Sequence, residues 1–153
     1  MILYYDYLNT PIGVIEISSN DTALTSIYFV DRAGQVNANE VSLEAKKQLQ
    51  EYFSGDRKEF DLPLEAHGTE FQKRVWSELV TIEFGETCTY GDIAKQLDNP
   101  KGMRAVGLAN GKNPISIVVP CHRVIGANGK LTGYASGVDK KAWLLNHESD
   151  SLF

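Results

Sequence analysis

The sequence predicts an α+β chain in two domains, a small sheet-and-helix domain over residues 1–68 and a mainly helical domain over residues 69–153. Three features of the chain point there. Short runs of alternating apolar and polar residues fill the first 30 positions, whereas apolar residues recur at steps of three and four in several later segments. Charge also divides: residues 1–68 carry 5 Lys and Arg against 11 Asp and Glu, and residues 69–153 carry 10 against 9. At 153 residues the chain can bury one substantial core or two small ones, so two compact domains are within reach.

The first domain opens with three expected strands, Ile2 to Tyr7, Gly13 to Ser18 and Leu24 to Val30. Asn9-Thr10-Pro11 and Ser19-Asn20-Asp21 separate them as turns, giving an antiparallel meander. Val41, Ala45, Leu49 and Tyr52 then mark an amphipathic helix stopped by Gly55, with its apolar stripe expected on the sheet. Phe60, Leu62 and Leu64 alternate around Pro63. Glu65-Ala66-His67-Gly68 has linker composition, which sets the expected boundary.

In the second domain Thr69 and Gln72 are spaced as a capping box, and Phe71, Val75 and Leu79 follow on one helix face that ends before Gly85. A second helix is expected from about Tyr90 to Leu97. A third, with Asn99 as N-cap and Pro100 as first helical residue, should run through Arg104 and Val106 to a stop near Gly111. Two short helices joined by a tight turn outline a helix-turn-helix, although most such pairs in small domains are packing units. Ile115 to Val119 reads as a buried strand or core segment leading to Pro120-Cys121-His122-Arg123. Asn128-Gly129 marks a hairpin turn. A last helix, about Val138 to His147, offers Trp143, Leu144 and Leu145 to the core.

Composition narrows the functional classes. With 42% hydrophobic and 23% charged residues, the chain has neither the bias of a disordered segment nor that of a membrane protein. No apolar run is long enough to span a bilayer and the start MILYYDYLNT lacks signal-peptide blocks, so a cytoplasmic location without membrane association is expected. Two cysteines, Cys88 and Cys121, make no disulfide framework, and His67, His122 and His147 have no metal-ligand spacing. Reduced thiols, no metal and no cofactor are expected. The net charge of −5 speaks against a nucleic-acid partner, but the near-neutral second half remains compatible with DNA through few phosphate contacts.

Cys121 follows an apolar run, stands beside a proline that fixes the backbone, and precedes a histidine and an arginine. A lone cysteine is more often a small hydrophobe, and Cys88 between threonines keeps that reading. A cysteine-protease dyad of Cys121 and His122 is disfavoured if the segment is extended, because neighbours then point to opposite sides.

The ordered set Arg104-Ala105-Val106-Gly107, Asn110, Asn113-Pro114, Pro120-Cys121-His122-Arg123-Val124-Ile125, Gly133-Tyr134 and Trp143-Leu144-Leu145-Asn146-His147-Glu148 closely resembles the O6-alkylguanine-DNA alkyltransferases, whose signature is Pro-Cys-His-Arg-Val. The likeness runs from Phe71 to Glu148. Residues 1–68 fit the family's ribonuclease H-like α/β domain in layout, and residues 69–153 its helical, winged helix-turn-helix-like DNA-binding and alkyl-transfer domain.

The resemblance implies a DNA repair transferase that moves a methyl or alkyl group from O6 of guanine, with O4 of thymine as a second candidate, onto Cys121. The thioether formed has no activated leaving group, so each molecule works once. His122 would draw off the thiol proton through a water, with Glu148 orienting it. A cysteine is only a few per cent thiolate at neutral pH, so such an acceptor should titrate below an ordinary thiol. Asn113 would brace the loop before the acceptor segment.

The implied partner is double-stranded DNA containing O6-alkylguanine, bound through the minor groove by a monomer with the damaged nucleotide flipped out. Arg104 would fill the hole in the stack. Tyr90 would press on the adjacent phosphate and donate to the base, while Gly102, Ala105 and Gly107 would allow close approach of the backbone. Val124, Tyr134 and the Ala135 amide would line the base pocket. Two departures from the family pattern, Ser136 in place of a glycine and Ser116 where some members carry proline, bear on the size of the alkyl group. The competing readings are a binding module that flags alkylated bases without chemistry, which the presence of Cys121 disfavours, and a helix-turn-helix regulator, for which no dimer surface or sensor domain is evident.

Overall fold

A computed structural model describes residues 2–99 and 101–150, and the chain separates into two compact units. The first comprises residues 1–67 with Pro114–Ser116; the second comprises 68–113 with 117–153.

In the first unit, strands β1 (Tyr4–Thr10), β2 (Gly13–Ser19) and β3 (Leu24–Val30) form an antiparallel sheet in that order. β1 lies later than the sequence predicts. Thr10 still pairs with Gly13, so only Pro11 and Ile12 remain for the turn and the Asn9-Thr10 pair belongs to the ladder. Helix α1 (Glu40–Phe53) starts from a reciprocal capping box between Asn39 and Ser42, and Gly55 after its end has φ +87°, a conformation that favours glycine. Its buried face is Ser42, Ala45, Gln48, Leu49 and Tyr52, and it packs on β1 and β2 over Ile15, Ile17, Leu24 and Ile27. Each large side chain fully buried there contributes about 1.5–3 kcal/mol. Residue Leu64 bridges in parallel to Leu24, and Ile115 bridges in parallel to Ile27.

That last bridge is the whole strand character of the Ile115–Val119 run. Residues 116–118 are a turn, and Ile117 has φ +73°, a strained value for a β-branched residue. The run is nevertheless buried throughout. It is a core segment rather than a strand, because apolar character reports burial and leaves the backbone dihedrals open.

In the second unit, α2 (Glu70–Leu79) begins at the Thr69–Gln72 capping box, and its Trp76 Nε1 donates to Ala109 O at 2.9 Å. Strand β4 (Cys88–Thr89) runs into α3 (Tyr90–Gln96), with Thr89 as N-cap. Helix α4 (Met103–Gly111) starts later than predicted. Gly102 is its N-cap, while Asn99 forms the preceding turn by accepting from Gly102 N at 2.8 Å; Pro100 lies outside the described residues. After a 3-10 turn at Cys121–Arg123, strand β5 (Val124–Ile125) pairs in parallel with β4. The Asn128-Gly129 turn forms, closed by Gly126 N to Lys130 O at 2.9 Å, but no second strand follows it, so it makes no hairpin ladder.

Helix α5 (Val138–Asp150) closes the unit. Its fully buried positions are Lys141, Leu144 and Glu148, whereas Trp143 and Leu145 are only half-buried. The core stripe at steps of three and four therefore carries two ionisable groups around one leucine, and the side chains expected in the core flank it.

Candidate active site

Cys121 is held at the start of the 3-10 turn, between Pro120 and β5, and is 5% exposed. Pairing of β4 with β5 places the start of α3, and so Tyr90, alongside the same segment. Asn113 anchors the approach by donating from Nδ2 to Val119 O at 2.8 Å, and Asn110 Nδ2 donates to Cys121 O at 3.3 Å. Burial pushes the Cys121 thiol above its ordinary pKa; a hydrogen bond from Asn113, the charge of Lys141 and backbone groups of Cys121 and His122 act in the opposite direction without cancelling it. This direction is opposite to the depressed titration expected of the acceptor. The sulfur is equipped to be an anion, but burial keeps its proton on.

Next in the chain, His122 is fully buried and places Nε2 2.6 Å from Glu148 Oε2. Glu148 also receives Arg123 Nε at 2.8 Å and Nη2 at 3.0 Å, while Arg123 Nη1 donates to Ile82 O at 2.6 Å. The guanidinium lies 5.8 Å from the centre of the Phe84 ring. Burial opposes ionisation of Glu148, yet the His122 and Arg123 contacts outweigh it and hold the carboxyl down at about 2. For His122 burial wins, and its pKa lies below the usual 6.5 despite the Glu148 contact. The two directions are reconciled by Arg123: it is the cation that keeps Glu148 ionised, and His122 donates to that carboxylate as a neutral imidazole. A neutral ring that donates through Nε2 has Nδ1 as an acceptor, and Nδ1 is buried without a hydrogen-bond partner among the described residues. The 3-10 turn also removes the objection that Cys121 and His122 must point apart, since the segment is not extended.

The remaining expected pocket residues are Val124, three residues after Cys121, and Tyr134 and Ala135. Val124 and Tyr134 are buried and Ala135 is exposed. Lys141, on α5, donates from Nζ to Val124 O at 2.5 Å and to Thr132 O at 2.7 Å. Thr132 O also accepts from Tyr90 Oη at 3.1 Å, and the Lys141 ammonium is 5.8 Å from the Tyr90 ring centre. Between these groups Gly133 has φ +70°, and a Cβ there would stand 3.1 Å from Tyr90 Oη.

Arg104 and Ala105 occupy the exposed face of α4, with Met103 47% and Leu108 66% exposed beside them. Gly102 differs: it is buried, and a Cβ there would meet Asn99 Nδ2 at 2.4 Å. Its lack of a side chain lets the turn before α4 close against Asn99. Cys121, His122, Glu148, Asn113 and Val124 are thus gathered at one place, Tyr90 joins them through Thr132 and Lys141, and Arg104 and Ala105 face outward on the second helix of the pair. Among the described residues, no group of three or more His, Cys, Asp and Glu side chains is placed to hold a metal, and no helix is long and apolar enough to cross a membrane.

Two sequence profiles match the chain: the 6-O-methylguanine DNA methyltransferase, DNA binding domain over residues 70–150, and the 6-O-methylguanine DNA methyltransferase, ribonuclease-like domain over residues 3–66. The chain belongs to the 6-O-methylguanine DNA methyltransferase family. A methylated-DNA--protein-cysteine methyltransferase of Methanosarcina acetivorans is 50% identical to it, covering 95% of this chain and 98% of the relative. That of Mycolicibacterium paratuberculosis is 49% identical, covering 94% and 91%. Among solved structures, the O6-methylguanine methyltransferase of Mycobacterium tuberculosis superposes with a TM-score of 0.90 at 43% identity, covering 98% of this chain and 94% of that one. The M. tuberculosis OGT in complex with DNA gives 0.89 at 45% identity, covering 96% and 93%. The mixed architecture of this methyltransferase-family chain, a small sheet domain followed by a helical one, matches these neighbours.

Three groups of the site in this family member carry no role on sequence alone: Arg123, Asn110 and Lys141. The motif gives Arg123 no task of its own, and its task follows from Glu148, an ionised carboxylate buried deeply enough to need a cation. The signal for Lys141 was available: it precedes Leu144 by three residues and Glu148 by seven, so it falls on the core stripe of α5.

Proposed function

We propose that this protein repairs DNA by transferring a methyl or larger alkyl group from O6 of guanine to the sulfur of Cys121, once per molecule. The observation that carries this is the buried line Cys121, His122, Glu148, Arg123, in which the only acceptor nitrogen of His122 has no partner. A buried thiol beside a neutral imidazole, itself backed by a fixed carboxylate, is arranged to lose a proton when substrate arrives.

The Cys121 proton passes through a water to His122 Nδ1, and the resulting imidazolium is stabilised through Nε2 by Glu148. The sulfur lone pair attacks the alkyl carbon; the S–C bond forms as the C–O6 bond breaks, and that bond's electron pair passes to the guanine. Tyr90 donates its hydroxyl proton to the base and regains one from solvent, while His122 releases to solvent the proton it took from the thiol, so the hydrogen lost by the thiol is balanced by that gained by guanine. Tyr90, bonded to Thr132 O in the free protein, turns from that carbonyl to the base. Val124, Tyr134 and Ala135 line the pocket, Asn113 braces its floor, and Arg104 on the exposed face of α4 fills the gap left by a nucleotide flipped into it. The protein acts as a monomer in the minor groove of duplex DNA, in the cytoplasm, without a cofactor.

Quantifying O6-methylguanine in a duplex after incubation with excess lesion checks this on the DNA side. One lesion should disappear per wild-type molecule and none with Cys121→Ala. Continued loss beyond one equivalent would show a turning-over enzyme and remove the single-use assignment.

A further inference from the structure

Lys141 is the one fully buried lysine among the described residues, and the transfer steps above give it nothing to do. Its surroundings are specific. Two of its ammonium hydrogens go to backbone carbonyls from separate segments, Val124 O beside the acceptor turn and Thr132 O on the opposite wall. The same Thr132 carbonyl takes the Tyr90 hydroxyl. Burying a lysine requires about several kcal/mol of compensation, and two neutral carbonyls are modest partners for a full charge. An anion that appears during the reaction would complete the set.

We propose that Lys141 is the positioning cation of the acceptor site: its ammonium clamps the two pocket walls together and supplies the positive charge against which the Cys121 thiolate forms. This rests on the transfer reading above and deepens it. Helix α5 then serves the proton transfer from two points on one stripe. Glu148 lies beside the imidazole that must become a cation, and Lys141, seven residues earlier on the same face, is bonded to the carbonyl of Val124, three residues beyond the cysteine whose sulfur must become an anion. The reciprocal influence is consistent with this. Burial lowers the Lys141 pKa while ionised Cys121 raises it, and Lys141 in turn is the only charged side chain that pulls Cys121 down. Lys141 also disfavours imidazolium at His122, but as the weakest of the influences on that ring, behind burial, Glu148 and Arg123. The groups whose charge or hydrogen bonding bears on the Cys121 thiol are therefore Asn113, Lys141 from α5, the backbone of Cys121 and His122, and Tyr90 from α3.

The test uses the full chain with Cys88→Ser, which leaves one thiol, and follows alkylation of Cys121 by iodoacetamide across pH. Lys141→Met keeps the stem and removes the charge; Lys141→Arg keeps the charge. The Met variant should move the midpoint of the profile up by about one pH unit, a tenfold change, and lower the single-turnover transfer rate at pH 7 about tenfold with half-saturation by DNA little altered. Arg should restore the midpoint. An unshifted midpoint in a folded Met variant would reduce Lys141 to a strut and overturn the proposal. If Lys141→Met does not fold, the wild-type scaffold still decides. The 15N shift of Lys141 Nζ should titrate with Cys121 and lose that step in Cys121→Ala; an identical Nζ titration in both would overturn it equally. Neither titration needs DNA, so failure of the transfer reading and failure of this one are separate results.

Discussion

At the scale of single residues, the proposed reaction depends on ionisation being withheld until substrate arrives. Cys121 is kept protonated by burial and His122 is kept neutral by the same cause, so the free protein stores a thiol and a base side by side. The pH dependence follows with a definite sign. The base form of His122 is required, and its pKa lies below 6.5; the midpoint of the acid-side fall in single-turnover rate should therefore lie below pH 6.5. A midpoint above pH 7 would mean that the proton goes elsewhere. Glu148 contributes differently. Its folded pKa, about 2, lies under the ordinary 4.5, so its stabilisation is fully present above pH 4.5 and is lost as pH falls through 2; the shift corresponds to about 3 kcal/mol. Glu148→Gln should lose that acid-dependent component, leave Arg123 buried without its carboxylate at a cost of about 3–5 kcal/mol, and slow transfer in whatever fraction folds. Urea unfolding at pH 7 and pH 3, with rates scaled to folded protein, separates the two effects.

At the scale of elements, short pieces with unusual backbone set the geometry. Gly133 is the sharpest case. Its positive φ strains any side chain, and a Cβ would press on the Tyr90 hydroxyl at 3.1 Å, so Gly133→Ala should cost about 1–2 kcal/mol and displace Tyr90 from Thr132, lowering transfer from duplex DNA. Denaturant midpoints and single-turnover rates check both; a neutral variant would mean that the 132–134 wall is loose. The helix pair allows a second separation. If Arg104 fills the gap in the stack, Arg104→Ala should slow transfer from duplex DNA roughly ten- to a hundredfold, at 1.4 to 2.7 kcal/mol, and leave transfer from free O6-benzylguanine nearly unchanged. Equal losses on both substrates would show that Arg104 supports the pocket instead.

What could be read from the sequence follows the same division. The Val41–Tyr52 stripe with Gly55 locates α1 and the Thr69–Gln72 box locates α2, because both signals are local; the Asn39–Ser42 and Thr89–Asp92 boxes that start α1 and α3 emerge only in the structure. The segment 115–125 was harder, since a turn with Ile117 at positive φ and a 3-10 turn are fixed by packing rather than by residue pattern. Lys141 was missed because a charge on a core stripe contradicts the usual rule, and only the tertiary fold provides its two carbonyls.

At the scale of the whole molecule, the chemistry uses up the protein. In the proposed reaction attack by Cys121 converts a thiol to a thioether, and Cys88 is no comparable acceptor among the described residues: burial and then Asp92 push its thiol up to about 11 with no group acting the other way, whereas Asn113 and Lys141 favour the anion at Cys121. Binding and chemistry should also part cleanly, because Cys121 is buried and contributes little contact area. Cys121→Ala should bind alkylated duplex about as well as wild type in a gel-shift titration, and loss of binding in a folded variant would contradict that. The most direct test of the central claim reads the protein itself. Intact mass and peptide mapping after incubation with excess duplex containing O6-methylguanine should show one methyl group per molecule, carried by the peptide that contains Cys121, with no further turnover. A methyl group on Cys88, or an unmodified protein beside repaired DNA, would contradict the account.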